Sequence, residues 1–214
     1  MAPLNSASLK QRVAREAATL LYTSQEKEYK QAKQRAAQAL GGIRVLPSNK
    51  EVADELDLLA DETEGSTRQE RLIQMRREAL AVMATLKEFH PVLIGSVWRG
   101  TAHKDSDIDV VTFSAQPKTV LNKLDHAGFE VTKTEWQSAP KLDRSDKSFH
   151  IYLKLQSGNE TEVVVRSLER LNQKVTDEIY GDTMTGLNHQ QLEKLLKNNP
   201  LRKFTPSKRP SAMP

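Results

Sequence analysis

Apolar positions in this chain follow two different periods. From Ser6 to about Leu40 they recur every three or four residues. Leu9, Val13, Ala17, Leu20 and Leu21 form one stripe, and Tyr29, Ala32, Ala36 and Leu40 form a second, more polar line. With Ala, Gln, Glu, Lys and Arg abundant and β-branched residues scarce, that spacing predicts helix as far as Gly41-Gly42. Ser48 with Glu51 three residues on reads as a capping box, opening a helix to about Glu62 that turns Val52, Leu56, Leu59 and Ala60 inward. Ser66 and Gln69 open a longer helix to about Phe89, with Leu72, Met75, Ala79, Leu80, Met83 and Leu86 on one side.

Beyond Pro91 the period shortens to two. Val92–Ile94, the run leading to Phe113, Phe129–Trp136, Phe149–Leu155 and Thr161–Val165 read as strands, while Pro117–His126 and Asn188–Lys197 read as helices. Strands and helices do not alternate regularly, so the pattern predicts an α+β fold: a mixed sheet with flanking helices, preceded by a helical region. The expected division is a helical extension over 1–65, a core over 66–199, and a basic, proline-rich, flexible tail over 200–214.

Composition narrows the chemistry. The 214 residues include no cysteine, which excludes disulfides, thiol nucleophiles and cysteine-ligated zinc. No stretch approaches the roughly 18 apolar residues of a membrane span, and no apolar leader block opens the chain. A soluble, cytoplasmic protein with no membrane partner is expected. The net charge of +4 permits a nucleic-acid or nucleotide partner without requiring one. Lys27, Lys30, Lys33 and Arg35 form a helical basic patch that Glu26 and Glu28 interrupt, so a solvated face is its simpler reading.

Candidate chemistry is concentrated between Pro91 and Phe113. Asp107 and Asp109 flank Ile108 at the start of a strand, so both carboxylates share a face while Ile108 points into the core. Like charges side by side call for a cation, and a divalent metal is the simplest. Two-metal phosphoryl transfer requires further acids from neighbouring strands, and Glu162, beside the apolar run Val163–Val165, is the candidate third. Gly95-Ser96 follows a strand and can bring backbone amides and a hydroxyl to a triphosphate. Arg99 and Thr101 lie in the same loop as candidates for a charge-assisted contact and a hydroxyl donor, whereas Trp98 reads as packing.

Gly95-Ser96-Val97-Trp98-Arg99-Gly100-Thr101 followed by Ser106-Asp107-Ile108-Asp109 resembles the signature of the DNA polymerase beta-like nucleotidyltransferase superfamily. In this detail it is most similar to archaeal-class CCA-adding enzymes and uncharacterised archaeal nucleotidyltransferases. The resemblance runs from Pro91 to Arg166 and implies the superfamily's mixed sheet and two bound magnesium ions, with manganese as a substitute. It also implies transfer of a nucleoside monophosphate from a nucleoside triphosphate, with release of pyrophosphate. On it, Asp107 and Asp109 match the metal-binding pair, Gly95 and Ser96 the triphosphate turn, and Glu162 the third carboxylate. His150-Ile151-Tyr152 resembles the His-Pro-Tyr of the archaeal CCA enzymes, which makes His150 a candidate nucleotide-binding residue. Two features depart from the pattern: Ile151 replaces the proline, and Glu162 a more usual aspartate.

The acceptor stays open between an RNA or tRNA 3′ end and a protein or small molecule, as in toxin–antitoxin relatives. A non-catalytic nucleotide- or RNA-binding module is the reading from another class. Only about fifty residues follow Glu162, fewer than the long region with which CCA enzymes hold tRNA. For an RNA end, Lys141, Arg144, Lys147, Arg202, Lys203, Lys208 and Arg209 are the candidate positive track.

Overall fold

The structure, a computed structural model, describes residues 6–41, 46–138 and 147–206. Four helices come first: α1 (Ser6–Tyr22), α2 (Tyr29–Ala39), α3 (Asn49–Glu64) and α4 (Ser66–Thr85). The two apolar lines expected over 6–40 fall on two separate helices, with a break between Tyr22 and Tyr29, and α1 and α2 each pack against α3. Val13, Ala17, Ala36, Val52, Leu56 and Ala60 are buried among these three helices. Small alanines at the contacts let the helix axes approach closely, which explains how such polar helices still make a core.

The expected capping box is present: the Ser48 hydroxyl accepts from the Glu51 N–H, while the Glu51 carboxylate accepts from the Ser48 N–H. The one expected at Ser66 is not, because α4 starts directly after Gly65 and has no side-chain cap. Helix α4 stops at Thr85 and a short 3-10 turn over Lys87–Phe89 completes the approach to the sheet.

The remaining elements are β1 (Val92–Ile94), α5 (Gly95–Arg99), β2 (Ile108–Phe113), α6 (Pro117–His126), β3 (Glu130–Ser138), β4 (Lys147–Lys154), β5 (Glu160–Arg166), β6 (Val175–Thr176), β7 (Thr183–Met184), β8 (Leu187–Asn188) and α7 (His189–Asn198). Six strands form a sheet in the order β3-β4-β5-β2-β1-β8. Among the described strands, only β2 and β5 pair in parallel. The expected α+β class and mixed sheet are therefore what the chain adopts.

The two faces of the sheet differ. Leu93, Ile108, Val110, Ile151, Val163 and Val165 point to one face and are buried with Leu72, Met75, Met83 and Leu124 of α4 and α6. On the other face lie Val92 and Ile94 of β1, Asp109, Val111 and Phe113 of β2, and Glu162, Val164 and Arg166 of β5. Among the described residues, Val111, Phe113 and Val164 form a small cluster of their own there, with Ile94 packed against it.

Three arginines buried among the described residues, Arg68, Arg76 and Arg99, none singled out in the sequence as structural, join the pieces. Arg68 of α4 donates to the Asp57 carboxylate at 2.6 Å, to Asp61, and to the Ala102 carbonyl at 2.7 Å. Arg76 is fully buried and has carbonyl partners only: those of Val97, Trp98, Pro200 and Arg202. Without a carboxylate nearby, burial pushes its pKa down to about 10.

Residues 200–206 correct the expected flexible tail over 200–214. The Phe204 N–H donates to the Arg99 carbonyl at 2.8 Å, and Lys203 reaches Asp57 at 2.6 Å and Asp61 at 3.1 Å. Residues 207–214 lie outside the described residues.

Candidate active site

Strand register assembles the acids. Asp109, the second residue of β2, stands opposite Ile94 of β1 on one side and beside Glu162 of β5 on the other. Asp107 lies just before β2, one strand period from Asp109. Ile108 between them is fully buried, as the alternation required.

Gly95, which follows Ile94 and starts α5, sits directly under the Asp109 carboxylate. Its φ of +70° is in the left-handed region, and a Cβ built there would clash with Asp109 Oδ2 and approach Cγ to 3.0 Å. Only glycine satisfies both the backbone and the packing. The turn then continues through Ser96, whose carbonyl accepts from the Thr101 N–H at 3.0 Å. The first N–H groups of α5 have no intrahelical acceptor and remain available for an anion.

The acids repel one another. Burial, followed by the charges of Asp107 and Glu162, pushes the pKa of Asp109 up to about 7. Burial and the nearby Glu160 and Glu162 also raise that of Asp107. Asp107 and Asp109, both held back from ionising, are hard oxygen donors of the kind that suits magnesium or manganese, and Glu162 adds a further carboxylate beside them. As the side chains stand, no three His, Asp or Glu among the described residues close on a single metal position. Glu162 points elsewhere. Its Oε1 lies 2.6 Å from His150 Nδ1, turned along the sheet face toward β4, and Ser148 Oγ is 2.7 Å from the other ring nitrogen. The donor set thus fits a divalent ion: Asp107 and Asp109 would hold it, and Glu162 would join on rotating away from His150.

Several expected contacts need correction. Arg99 is 2% exposed and its donors are spent on Asp177 (2.9 Å), Asp182 (2.6 Å) and the Phe204 carbonyl (2.9 Å). Burial pulls its pKa down, but the two carboxylates outweigh that and raise it. Its guanidinium also packs 4.4 Å from the Trp98 ring centre and 4.3 Å from that of Tyr180. Arg99 is therefore structural and does not reach a triphosphate.

The Thr101 hydroxyl is engaged by that of Tyr180. His150 is buried and engaged by Ser148 and Glu162, so it holds the third acid in place of a nucleotide. Of the basic track, Lys203 is paired with Asp57 and Asp61, Arg202 lies over the Phe204 ring, and Lys147 is exposed at the start of β4. Lys141, Arg144, Lys208 and Arg209 lie outside the described residues. In the amino-terminal patch, Arg35 pairs with Glu26 and Lys33 donates to Asn49.

The polar side of β4 was not resolved from the sequence. Ser148, His150 and Tyr152 share the face of Glu162, and Tyr152, directly opposite Glu162, donates to Glu135 at 2.8 Å. The strict two-residue alternation of Ser148, Phe149, His150, Ile151 and Tyr152 was the available signal.

Residues 85–180 match the nucleotidyltransferase domain. The matching family model is described in those words, and its span takes in Gly95, Ser96, Asp107, Asp109, His150 and Glu162. It agrees with the expected superfamily and with an enzyme of the nucleotidyltransferase class. The curated protein sequences contain no match. Among solved structures, the chain is similar to the Cid1 poly(U) polymerase at 21% identity, over 46% of this chain and 31% of that one, with a TM-score of 0.33. It is similar also to the GLD-2/RNP-8 complex at 12% identity, over 57% and 44%, with a TM-score of 0.35. A cytoplasmic RNA terminal U-transferase is similar at 17% identity, over 62% and 36%, with a TM-score of 0.31. The chain thus spans less than half the length of each of these proteins.

Proposed function

We propose that this protein is a magnesium-dependent nucleotidyltransferase that moves a nucleoside monophosphate from a nucleoside triphosphate to a hydroxyl, with an RNA 3′ end as the acceptor. The observation that carries this reading is the placing of Asp109 between the Gly95 turn and Glu162, which sets a glycine turn at a helix start against a cluster of acids.

In the reaction, the acceptor oxygen forms a bond to the α-phosphorus while the bond from that phosphorus to the β-bridging oxygen breaks. Pyrophosphate leaves with that electron pair, and the hydroxyl proton passes to a carboxylate of the site. The Gly95-Ser96 turn holds the triphosphate by backbone amides and the Ser96 hydroxyl. Asp107 and Asp109 would hold the divalent ion, which when bound neutralises charge on the phosphoryl oxygens. Glu162, released from His150, is the acid placed to orient the attacking hydroxyl. Catalysis of this kind rests on positioning and charge neutralisation.

The test is pyrophosphate release from labelled nucleoside triphosphates with magnesium and an RNA oligonucleotide. Wild type should turn over, and the double variant Asp107→Ala, Asp109→Ala should not. Equal rates in the two proteins would end the assignment.

A further inference from the structure

The open face of the sheet carries a cavity of about 730 Å3 that the nucleotidyl-transfer chemistry leaves unused. Its floor is Val92, Ile94, Val111 and Phe113, all on the face that bears Asp109 and Glu162. Its outer wall comes from the segment after β5, with Leu171, Val175 and Met184, and from the start of α7, with His189, Gln190 and Glu193. Lys87, Arg166 and Arg170 also line it.

Register fixes where this cavity lies relative to the acids. Ile94 is both a floor residue and the cross-strand partner of Asp109, so the near edge of the cavity adjoins the carboxylates. Phe113, at the far edge, lies four residues along the same strand, about 13 Å at the strand rise. Along β5, Glu162, Val164 and Arg166 repeat the sequence from acid through apolar to cation. A ligand laid on this face therefore meets acids, then an apolar floor, then Lys87.

That order selects its occupant. The donor's phosphates belong to the Gly95-Ser96 turn, and a nucleoside without them has no use for cations some 13 Å beyond the acids. A single-stranded nucleic acid with its 3′ hydroxyl at the acids has a phosphate for each further nucleotide and bases to lay on an apolar floor. A cavity of this size is within the range of small-ligand sites, roughly 300–1,000 Å3, which leaves room for one or two nucleotides.

We infer that the cavity floored by Val92, Ile94, Val111 and Phe113 is the acceptor site, holding the nucleotides that precede the 3′ terminus of a single-stranded RNA, with Lys87 on their phosphates. This rests on the nucleotidyl-transfer reading for its direction, but the binding can be measured without turnover.

Fluorescence anisotropy with a labelled single-stranded RNA oligonucleotide should be run on the Asp109→Asn protein, alone and with Lys87→Ala or Gln190→Trp added. Lys87 and Gln190 are exposed, so neither change disturbs the core. Gln190→Trp, which fills the cavity, should weaken RNA binding about tenfold. Lys87→Ala should lower the slope of log affinity against log salt by about 0.7, the value for one phosphate contact on a single strand.

In proteins with Asp109 intact, the same changes should raise KM for RNA and leave KM for the triphosphate unchanged. RNA affinity untouched by both variants overturns the inference, even if RNA is extended normally. A rise in KM for the triphosphate alone overturns it in favour of a donor nucleoside, and label entering protein but never RNA, with no RNA bound, overturns it in favour of a protein acceptor. RNA bound and lost with the variants, but never extended, sustains the acceptor site and removes the transferase reading instead.

Discussion

The Asp109 carboxylate rests on the Cα of Gly95, so closely that no side chain could occupy that position. Metal-ligand candidate and phosphate turn are thus packed as one object. Gly95→Ala should combine a left-handed backbone cost of about 1–2 kcal/mol with displacement of the Asp109 side chain. A misplacement of that kind is expected to lower kcat/KM about 100-fold or more, with circular dichroism unchanged. Near-normal turnover in a folded Gly95→Ala protein would show that Asp109 need not sit where it does.

The repulsion at Asp109 has a pH signature. In the folded, metal-free protein its carboxyl keeps a proton up to about pH 7, whereas an unperturbed aspartate releases it near 3.8. The folded state therefore carries no penalty from this group at acid pH and an increasing one as pH rises from about 4 to about 7. Over that window the Tm of wild type should lose ground to that of Asp109→Asn, by an amount corresponding to a few kcal/mol at most. Magnesium at pH 7 should raise the Tm of wild type and not that of Asp107→Asn, Asp109→Asn, since a ligand of the native state alone stabilises it. Parallel pH profiles for wild type and Asp109→Asn would refute the first expectation.

His150 acts through Glu162. Removing an outer partner of a ligating or catalytic carboxylate typically costs 10–100-fold. His150→Ala is expected to lower kcat within that range and to leave KM for the triphosphate within about twofold, since the ring does not touch the Gly95 turn. A large change in that KM with kcat preserved would restore His150 as a nucleotide contact.

Arg99 separates structure from chemistry most sharply. Arg99→Ala leaves Asp177 buried without its partner, and breaking a buried pair in this way costs about 3–5 kcal/mol. Thermal melts should show the loss. Where the variant is still folded, its KM for the triphosphate should equal that of wild type. A selective rise in that KM without loss of stability would place Arg99 on the phosphates after all.

The particular residues show what a sequence can and cannot express. Gly95, Asp107, Asp109 and Glu162 were legible because strand period and turn chemistry are local, and the register that unites them follows from neighbouring strands pairing. Arg99 was misplaced for the opposite reason: its partners Asp177 and Asp182 lie far along the chain, and nothing near Arg99 announces them. The same holds for Arg76, whose partners are carbonyls and therefore have no residue type to recognise. His150 was singled out through its resemblance as a nucleotide contact, but the role of a histidine depends on which neighbour its ring meets, and here that neighbour is Glu162. The strand β8, two residues long and paired at the edge with β1, is too short for any periodicity to reveal.

The ring of carbonyls around Arg76 also sets an order of events. Two of them, Val97 and Trp98, belong to the turn that would grip the triphosphate, and the other two, Pro200 and Arg202, leave the ribosome long afterwards. Until they do, a fully buried cation lacks half its acceptors, and Gly100 lacks the Arg202 backbone that packs against it. The strands of the sheet can therefore pair before the carboxy-terminal segment docks, but the turn at Val97 and Trp98 is fixed only when Pro200 and Arg202 close around Arg76.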